Sequence, residues 1–173
     1  MYDNNPPFHL KIKDVSQYTI VNEWFPKRFT RGSSGLDIVA VLGEADSFES
    51  ITIKPMEHVL VPTGLSFEIP YGYEAQIRMR SSLALKHQIT LLTGVSTIDS
   101  DYRGEIKLPL INLGKKPYTI HTGDRIAQAV ICKVEMVGVI NARTGERILS
   151  HYDQERGEGG FGSTGRRCSS QIS

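Results

Sequence analysis

The sequence of 173 residues has little of several features that mark specialised classes of protein. Its two cysteines, Cys132 and Cys168, are too few for a disulfide scaffold and favour a reducing compartment, so we expect a cytoplasmic protein. The formal net charge is only +1, without the basic excess expected of a nucleic-acid binder. Apolar runs are far shorter than the roughly 20 residues that span a membrane, and the polar N-terminus lacks a signal-peptide core. We therefore expect binding to neither nucleic acid nor a membrane.

The sequence does have the length of one domain and an uneven distribution of glycine. Hydrophobic residues make up 39% of the chain, which lies within the globular range. Five of the 16 glycines fall between positions 157 and 165. We predict a single β domain over residues 1–150, in which residues 1–17 form an extension of unknown role. Residues 151–173 are predicted to be a flexible, glycine-rich C-terminal tail.

The body of the chain is predicted to be all-β. Residues 73–80 alternate apolar and polar side chains, as in a strand with one buried face. Similar runs bounded by turn residues cover residues 18–21, 36–41, 58–61, 65–69, 88–92, 105–112, 125–131 and 134–140. One short helix is predicted over residues 82–86, capped by Ser81 or Ser82, and a hairpin turn over residues 141–145. Many short strands indicate a sandwich, jelly roll or barrel.

The glycine cluster of the tail has the spacing G-x-G-x-x-G over residues 157–162. A dinucleotide site would also need a preceding strand and a following helix, and neither is predicted here. Glycine-rich backbone can still present N–H groups to an anion. With Arg156 before the cluster and Phe161 within it, the segment suits a loop that closes over a phosphate and stacks on a ring.

Other polar segments lie between or within the predicted strands. Residues 80–82, Arg-Ser-Ser, stand where a strand meets the short helix, which suits either phosphate oxygens or a simple helix cap. Residues 98–104 hold two carboxylates, which fit either a metal site or a single carboxylate that deprotonates water. Arg125 and Gln128 interrupt an apolar run. Polar side chains in a buried strand need partners, so these two residues belong either to a site or to an internal ion pair.

Five segments follow one another along the chain, at residues 35–40, 80–86, 97–106, 123–128 and 156–165. Their order resembles the five motifs of the homotrimeric dUTPase family. The resemblance implies a distorted jelly-roll-like β-barrel or sandwich and a homotrimer with active sites at its subunit interfaces. It implies hydrolysis of dUTP to dUMP and pyrophosphate, which keeps uracil out of DNA and supplies dUMP for thymidylate synthesis. It also implies Mg²⁺ bound through the substrate phosphates and water, with no direct protein ligand.

The resemblance gives roles to individual residues. Asp99 matches the carboxylate that activates the water attacking the α-phosphate. Tyr102 matches the residue packed under the sugar, where it leaves no room for a ribose 2′-OH. Residues 88–103 match the hairpin that reads uracil, largely through backbone groups. The substrate contacts implied in this hairpin are Thr93, Thr97 and Ile98.

The remaining contacts implied by the resemblance lie in the other motifs. The expected contacts in the body of the chain are Arg80, Ser81, Ser82, Lys107 and Gln128. The tail is expected to grip the γ-phosphate and stack on uracil through Arg156, Phe161, Gly162 and Ser163. Asp37 and Gln128 are expected to order water near the phosphates. Arg125 is expected to be structural and to pair with Asp37.

Some positions depart from the family pattern, and two rival classes need to be weighed. Ser96 and Ser82 stand where the family often has glycine, and Thr93 where it often has asparagine. The dCTP deaminase family shares the fold and the Arg-Ser-Ser motif, but Pro109 stands here in place of its proton-transferring glutamate. A non-catalytic β-sandwich that retains the scaffold should have lost Asp99 or the tail, and both are present.

Overall fold

The computed structural model describes residues 8–148 and 157–160. The strands of the described chain are β1 (Lys11–Asp14), β2 (Leu36–Val39), β3 (Ser50–Ile53), β4 (His58–Pro62), β5 (Leu65–Glu68), β6 (Tyr73–Met79), β7 (Ile89–Leu91), β8 (Ser96–Ile98), β9 (Lys107–Asn112), β10 (Tyr118–His121), β11 (Arg125–Lys133), β12 (Val139–Ile140) and β13 (Arg147–Ile148). A helix, α1 (Ser81–His87), separates β6 from β7, and a 3₁₀ turn covers Asn22–Trp24. Within the described residues, no helix has the length and apolarity to cross a membrane.

The strands pair antiparallel in two main sheets. One sheet has the order β2-β11-β6-β8 and the other the order β4-β9-β7. Three further pairs, β1–β5, β3–β10 and β12–β13, complete the pairing of the described chain. The prediction of an all-β, jelly-roll-like fold with one short helix is confirmed.

One hydrophobic core joins the sheets. Ile77 of β6, Leu108 of β9 and Phe67 of β5 are fully buried in the same cluster. Burying a side chain of this size contributes about 1.5–3 kcal/mol relative to leaving it exposed. On β6, Ala75 and Ile77 face the core whereas Arg78 is exposed, as the period-two pattern of the sequence predicted. The core therefore fixes which face of each strand remains available for a site.

Helix α1 is confirmed, but its predicted cap is wrong. Arg80 is the N-cap residue, with extended backbone, and makes no side-chain capping bond. Its carbonyl accepts hydrogen bonds from the N–H groups of Leu83 and Ala84 at 3.1 and 3.2 Å. The helix begins one residue earlier than predicted because β6 runs directly into it. Both serines are thus left exposed on the first turn.

Two predicted strands differ from the structure. Residues 18–21 form no strand, because their apolar side chains pack around Trp24 and Val39 in a small cluster that needs no strand partner. In the predicted strand 134–140, only Val139–Ile140 is extended and paired. The predicted turn at 141–145 is confirmed, with Gly145 at φ +75° and its N–H bonded to the carbonyl of Asn141 at 2.8 Å.

Five strands were not predicted as strands, namely β1, β3, β8, β10 and β13. The first of them, β1, pairs with β5 in register, with Ile12 opposite Phe67. The Phe8 ring packs against Tyr73, with the ring centroids 4.8 Å apart. The described part of the N-terminal extension is therefore built into the fold.

Candidate functional site

A cavity of about 240 Å³ opens beside the turn that joins β7 to β8. We call this segment the β7–β8 hairpin, although β7 pairs with β9 and β8 pairs with β6. Its lining residues are Thr93, Val95, Ser96, Thr97, Ile98, Tyr102, Glu105, Ile106, Lys107 and Gly160. The volume is below the range of roughly 300–1,000 Å³ typical of pockets for drug-sized ligands, so it suits one part of a larger ligand. Five residues expected to contact substrate come together here: Thr93, Thr97, Ile98, Tyr102 and Lys107.

The hairpin reverses direction within a few residues between its strands. Gly94 has φ +73°, a conformation that side chains other than glycine rarely adopt, and its N–H bonds to the carbonyl of Leu91 at 3.0 Å. The Thr93 and Ser96 hydroxyls lie 2.6 Å apart across the tip. Strand β8 then pairs with β6, with Ser96 opposite Ile77 and Ile98 opposite Ala75. This pairing ties the hairpin to the largest sheet.

Tyr102 is fixed in the wall of the cavity. Its hydroxyl donates to the carbonyl of Glu105 at 2.8 Å. Its ring lies so close to Gly104 that a Cβ there would collide with it. Beside it, Gly157 of the glycine-rich segment forms a parallel bridge with Tyr102, and its carbonyl accepts from the Arg103 N–H at 2.8 Å. The described part of the glycine segment therefore reaches the cavity.

Lys107 brings a positive charge to the cavity. Its Nζ lies 3.3 Å from Glu105 Oε2, and the other carboxylate oxygen of Glu105 accepts from the Gly64 N–H at 2.9 Å. Glu105 was not singled out from the sequence. The signal was its i, i+2 spacing to Lys107, which places both side chains on one face of an extended segment. Val95 and Ile106 were also missed, and as apolar residues they carried no chemical signal. Gly160 lies in the glycine cluster of residues 157–162 but was not expected individually as a contact.

Asp99 directly follows β8 and is half-buried. Its carbonyl accepts from the Tyr102 N–H at 3.2 Å, so residues 99–102 form a tight turn. Of the described residues, Ile98 lines the cavity but Asp99 does not. Asp99 thus directly follows the lining residue Ile98 in the chain and begins the turn that leads to Tyr102, another lining residue.

A second polar group, which we call the arginine group, consists of Arg80, Asp37 and Arg125. Asp37 Oδ2 lies 3.5 Å from Arg80 Nε and 3.2 Å from Arg125 Nη1, so the predicted pairing of Asp37 with Arg125 is confirmed. Arg80 also donates to the carbonyl of Arg125 at 2.8 Å. The guanidinium of Arg125 stacks on Phe29, 4.2 Å from the ring centroid. The aspartate balances two arginines while leaving part of each guanidinium exposed.

Gln128 lies near this group, one strand away from Arg80. It faces Asp37 across the β2–β11 pair, and its amide donates to the Met79 carbonyl at 3.4 Å. Gly35 is needed beside it because a Cβ there would overlap the glutamine side chain. Of the described residues, the arginine group and Gln128 contribute none to the cavity lining. Within one chain, the expected site residues therefore form two separate sets.

Four expected contacts, Arg156, Phe161, Gly162 and Ser163, lie outside the described residues. So does the rest of the predicted tail except residues 157–160.

Known proteins that resemble this chain in sequence and in structure point to the same family. The family model described as dUTPase matches residues 23–165. The deoxyuridine 5′-triphosphate nucleotidohydrolase of Finegoldia magna is 46% identical over 156 residues, covering 90% of this chain and 99% of that protein. The crystal structure of the dUTPase from Streptococcus mutans is similar with a TM-score of 0.64 and 25% identity, over 73% of this chain and 97% of that one.

A structure with lower sequence identity has the same fold and coordinates a metal ion. It is a mutant dUTPase from phage phi11 of Staphylococcus aureus, with a TM-score of 0.66 and 20% identity, covering 78% of this chain and 97% of that chain. The phage protein coordinates a structural Mg(II) ion.

Proposed function

This chain belongs to the dUTPase family, and from that premise we propose how its own residues hydrolyse dUTP to dUMP and pyrophosphate. The observation that carries the proposal is the cavity at the β7–β8 hairpin, which gathers five of the expected substrate contacts. Its small volume suits the uracil and sugar, and the triphosphate then extends beyond it.

The β7–β8 hairpin recognises the base, and Tyr102 discriminates between deoxyribose and ribose. Backbone donors and acceptors along residues 93–98 pair with the edge of uracil. A base with the opposite pattern, such as cytosine, leaves buried polar groups unpaired and is rejected. The ring of Tyr102, held by its hydrogen bond to Glu105, occupies the space that a ribose 2′-OH would need.

Asp99 is the proposed general base. Its carboxylate accepts a proton from a water as the water oxygen bonds to the α-phosphorus. The bond from that phosphorus to the bridging oxygen breaks, and pyrophosphate leaves with the electron pair. Because the water adds to the α-phosphate, the nucleotide product is dUMP.

The phosphates are held by positive charge from separate parts of the chain. Arg80 and the exposed hydroxyls of Ser81 and Ser82 lie together at the start of α1. Asp37 orients Arg80, and Lys107 supplies a charge at the cavity. Arg156 and Phe161 are proposed to complete the site from the tail. Fixed positive charge of this kind stabilises the phosphates in the transition state.

Mg²⁺ is the proposed cofactor. Among residues 8–148 and 157–160, no group of three or more His, Cys, Asp or Glu side chains is placed to hold a metal. The ion is proposed to be bound through triphosphate oxygens and water, with Asp37 and Gln128 ordering that water. When bound, Mg²⁺ supplies charge neutralisation on the phosphate oxygens.

We propose that the complete site forms in a homotrimer, at subunit interfaces. The two sets of site residues do not meet within the described part of one chain, so an interface is a natural place for them to join. The segment 136–148 also carries large apolar side chains that are at least half exposed in the single chain, namely Met136, Val137, Val139, Ile140 and Ile148. Such a surface is typical of an interface. A single domain over residues 1–150, the tail over 151–173 and a cytoplasmic location stay predictions.

A pyrophosphate-release assay with dUTP, UTP, dCTP and dTTP tests the function. We expect release from dUTP far above that from the other nucleotides, and its loss when Mg²⁺ is chelated. Ammonia release from dCTP would favour a deaminase instead, and no turnover of any nucleotide would contradict hydrolysis.

A further inference from the structure

The two hairpin positions that depart from the family pattern contact each other. Thr93 precedes the tip and Ser96 opens β8, and their side-chain oxygens are 2.6 Å apart, a short hydroxyl–hydroxyl hydrogen bond. Either hydroxyl is able to donate. Both residues line the cavity. The two departures are therefore one structural unit, which we call the hydroxyl clasp.

The clasp is one of few bonds that hold the tip of the hairpin. The others within residues 91–96 are the N–H of Gly94 to the Leu91 carbonyl and the N–H of Val95 to the Thr93 carbonyl, both at 3.0 Å, and the Leu92 N–H bonds to the Pro109 carbonyl of β9 at 2.8 Å. Thr93, Gly94 and Val95 are exposed, so core packing does little to fix them. Ser96 is the first residue of the tip whose backbone pairs with β6. The clasp thus ties the exposed side chain of Thr93 to Ser96, the first residue of β8.

We propose that the Thr93–Ser96 hydroxyl clasp determines specificity by holding the β7–β8 tip at one width. This inference rests on the proposed reading of uracil by the hairpin. Backbone groups discriminate between bases only when they cannot shift to meet a wrong partner. A looser tip adjusts to cytosine more easily and meets uracil less well. Thr93 and Ser96 act through the backbone of the hairpin and are positioning residues.

Removing either hydroxyl breaks the clasp. We expect Thr93→Val and Ser96→Ala each to reduce the ratio of kcat/KM for dUTP to that for dCTP about 5–10-fold, the effect of one hydrogen bond. The change should appear mainly in KM for dUTP, because Asp99 is unaltered. The double variant should lose no more selectivity than either single variant, since one interaction is lost in all three.

The chain offers a matched control. Thr52 and Thr119 form another pair of bonded hydroxyls, 2.9 Å apart across β3 and β10, and neither residue lines the cavity. Thr52→Val removes the same chemistry elsewhere and should leave the dUTP to dCTP ratio unchanged. A second control is Thr93→Ser, which keeps the hydroxyl and should keep the wild-type ratio even if its stability changes.

The possible results distinguish failure of the clasp hypothesis from failure of the proposed dUTP hydrolysis. An unchanged ratio in Thr93→Val and Ser96→Ala, with dUTP hydrolysis intact, overturns the clasp, as does additive loss in the double variant. Loss of selectivity in Thr93→Ser also counts against it. A wild-type protein that fails to hydrolyse dUTP contradicts the proposed function itself.

Discussion

Asp37 balances two arginines that would otherwise repel each other. Its carboxylate is largely buried, with 17% of the side chain exposed, and contacts both Arg80 and Arg125. A buried carboxylate is stable only with such partners. Because the backbone carbonyl of Arg125 also accepts from Arg80, the guanidinium of Arg80 is held in one orientation. This preorganisation is what a phosphate contact at the start of α1 requires.

Asp99→Asn tests the general base. The amide keeps the shape of the side chain but is unable to accept the proton of the attacking water. We expect dUTP to bind nearly as well, while kcat falls about 10²–10⁴-fold, the usual contribution of a general base. Asp46→Asn, on an exposed loop, should keep wild-type turnover. Near-normal turnover of Asp99→Asn in a pyrophosphate assay would show that another group activates the water.

Tyr102 permits a sharper pair of variants. Tyr102→Ala removes the ring and should raise the UTP to dUTP ratio of kcat/KM, because space opens for a 2′-OH. Tyr102→Phe keeps the ring and loses only the bond to the Glu105 carbonyl. It should retain the wild-type ratio. Equal ratios in all three proteins would remove Tyr102 from sugar selection.

Among the elements, β1 illustrates how a surface ion pair supports a strand. Lys13 Nζ lies 2.7 Å from Glu68 Oε1 across the β1–β5 pair. The hydrogen bond and charge of Lys13 hold the pKa of Glu68 below its ordinary value of 4.5. A carboxyl with a lowered pKa stabilises the fold above 4.5, and this contribution is lost as the pH falls through the lowered pKa.

Lys13→Met should therefore be slightly less stable than wild type at pH 7. The difference should vanish well below pH 4.5, where Glu68 is protonated in both states. Urea unfolding at several pH values measures it. Lys54→Met, which removes a looser exposed pair at 3.8 Å, serves as the control and should show less pH dependence. A pH-independent difference would mean that packing, not charge, accounts for the effect.

Deleting residues 156–173 tests the tail. The strands and the core lie within residues 8–148, so the truncated protein should keep its far-UV circular dichroism and its cooperative unfolding. Hydrolysis should fall sharply because the proposed γ-phosphate and uracil contacts are removed. Phe161→Ala separates stacking from charge and should weaken binding with less loss of kcat. An unchanged rate after truncation would assign the tail no role in catalysis.

The elements read correctly from the sequence are those with a clear period or a turn signal. Strand β6 alternates over its whole length, and the turn before β13 has glycine at its left-handed position. Strand β1 was missed because its lysines and aspartate are exposed and only Ile12 faces inward. Residues 18–21 were misread because apolar spacing alone does not show whether a partner strand is available.

The candidate site was predicted from the order of its motifs, and five of the ten residues in the cavity wall were expected contacts, but the contacts among them were not predicted. The ion pair of Glu105 with Lys107 and the clasp of Thr93 with Ser96 depend on side-chain geometry that spacing does not fix. The sequence also did not predict that the expected residues divide into two sets. Linear order places motifs along the chain, whereas the fold decides which of them face the same space.

At the scale of the whole molecule, shared sites can be tested by mixing inactive variants. Asp99→Asn, in the turn after β8, and Arg80→Gln, in the arginine group, alter different motifs of the proposed site and should each be nearly inactive. Co-refolded at equal amounts, they should recover about a quarter of wild-type activity if each site takes one set from each of two neighbours in a closed oligomer. Sites confined to one chain would recover nothing. Analytical ultracentrifugation of the wild type should show a trimer.

The position of β11 has a consequence for how the protein is made. This strand lies between β2 and β6 in the largest sheet, yet it begins only at Arg125. While a ribosome is still translating the preceding residues, β2 and β6 have no partner between them and their edges are open to other chains. Pairing must wait for a late segment to close a loop of more than ninety residues, from Ala129 back to Leu36. Folding of the nascent chain is thus expected to be delayed until most of the polypeptide has been synthesised, and protection of these edges by a chaperone would raise the yield.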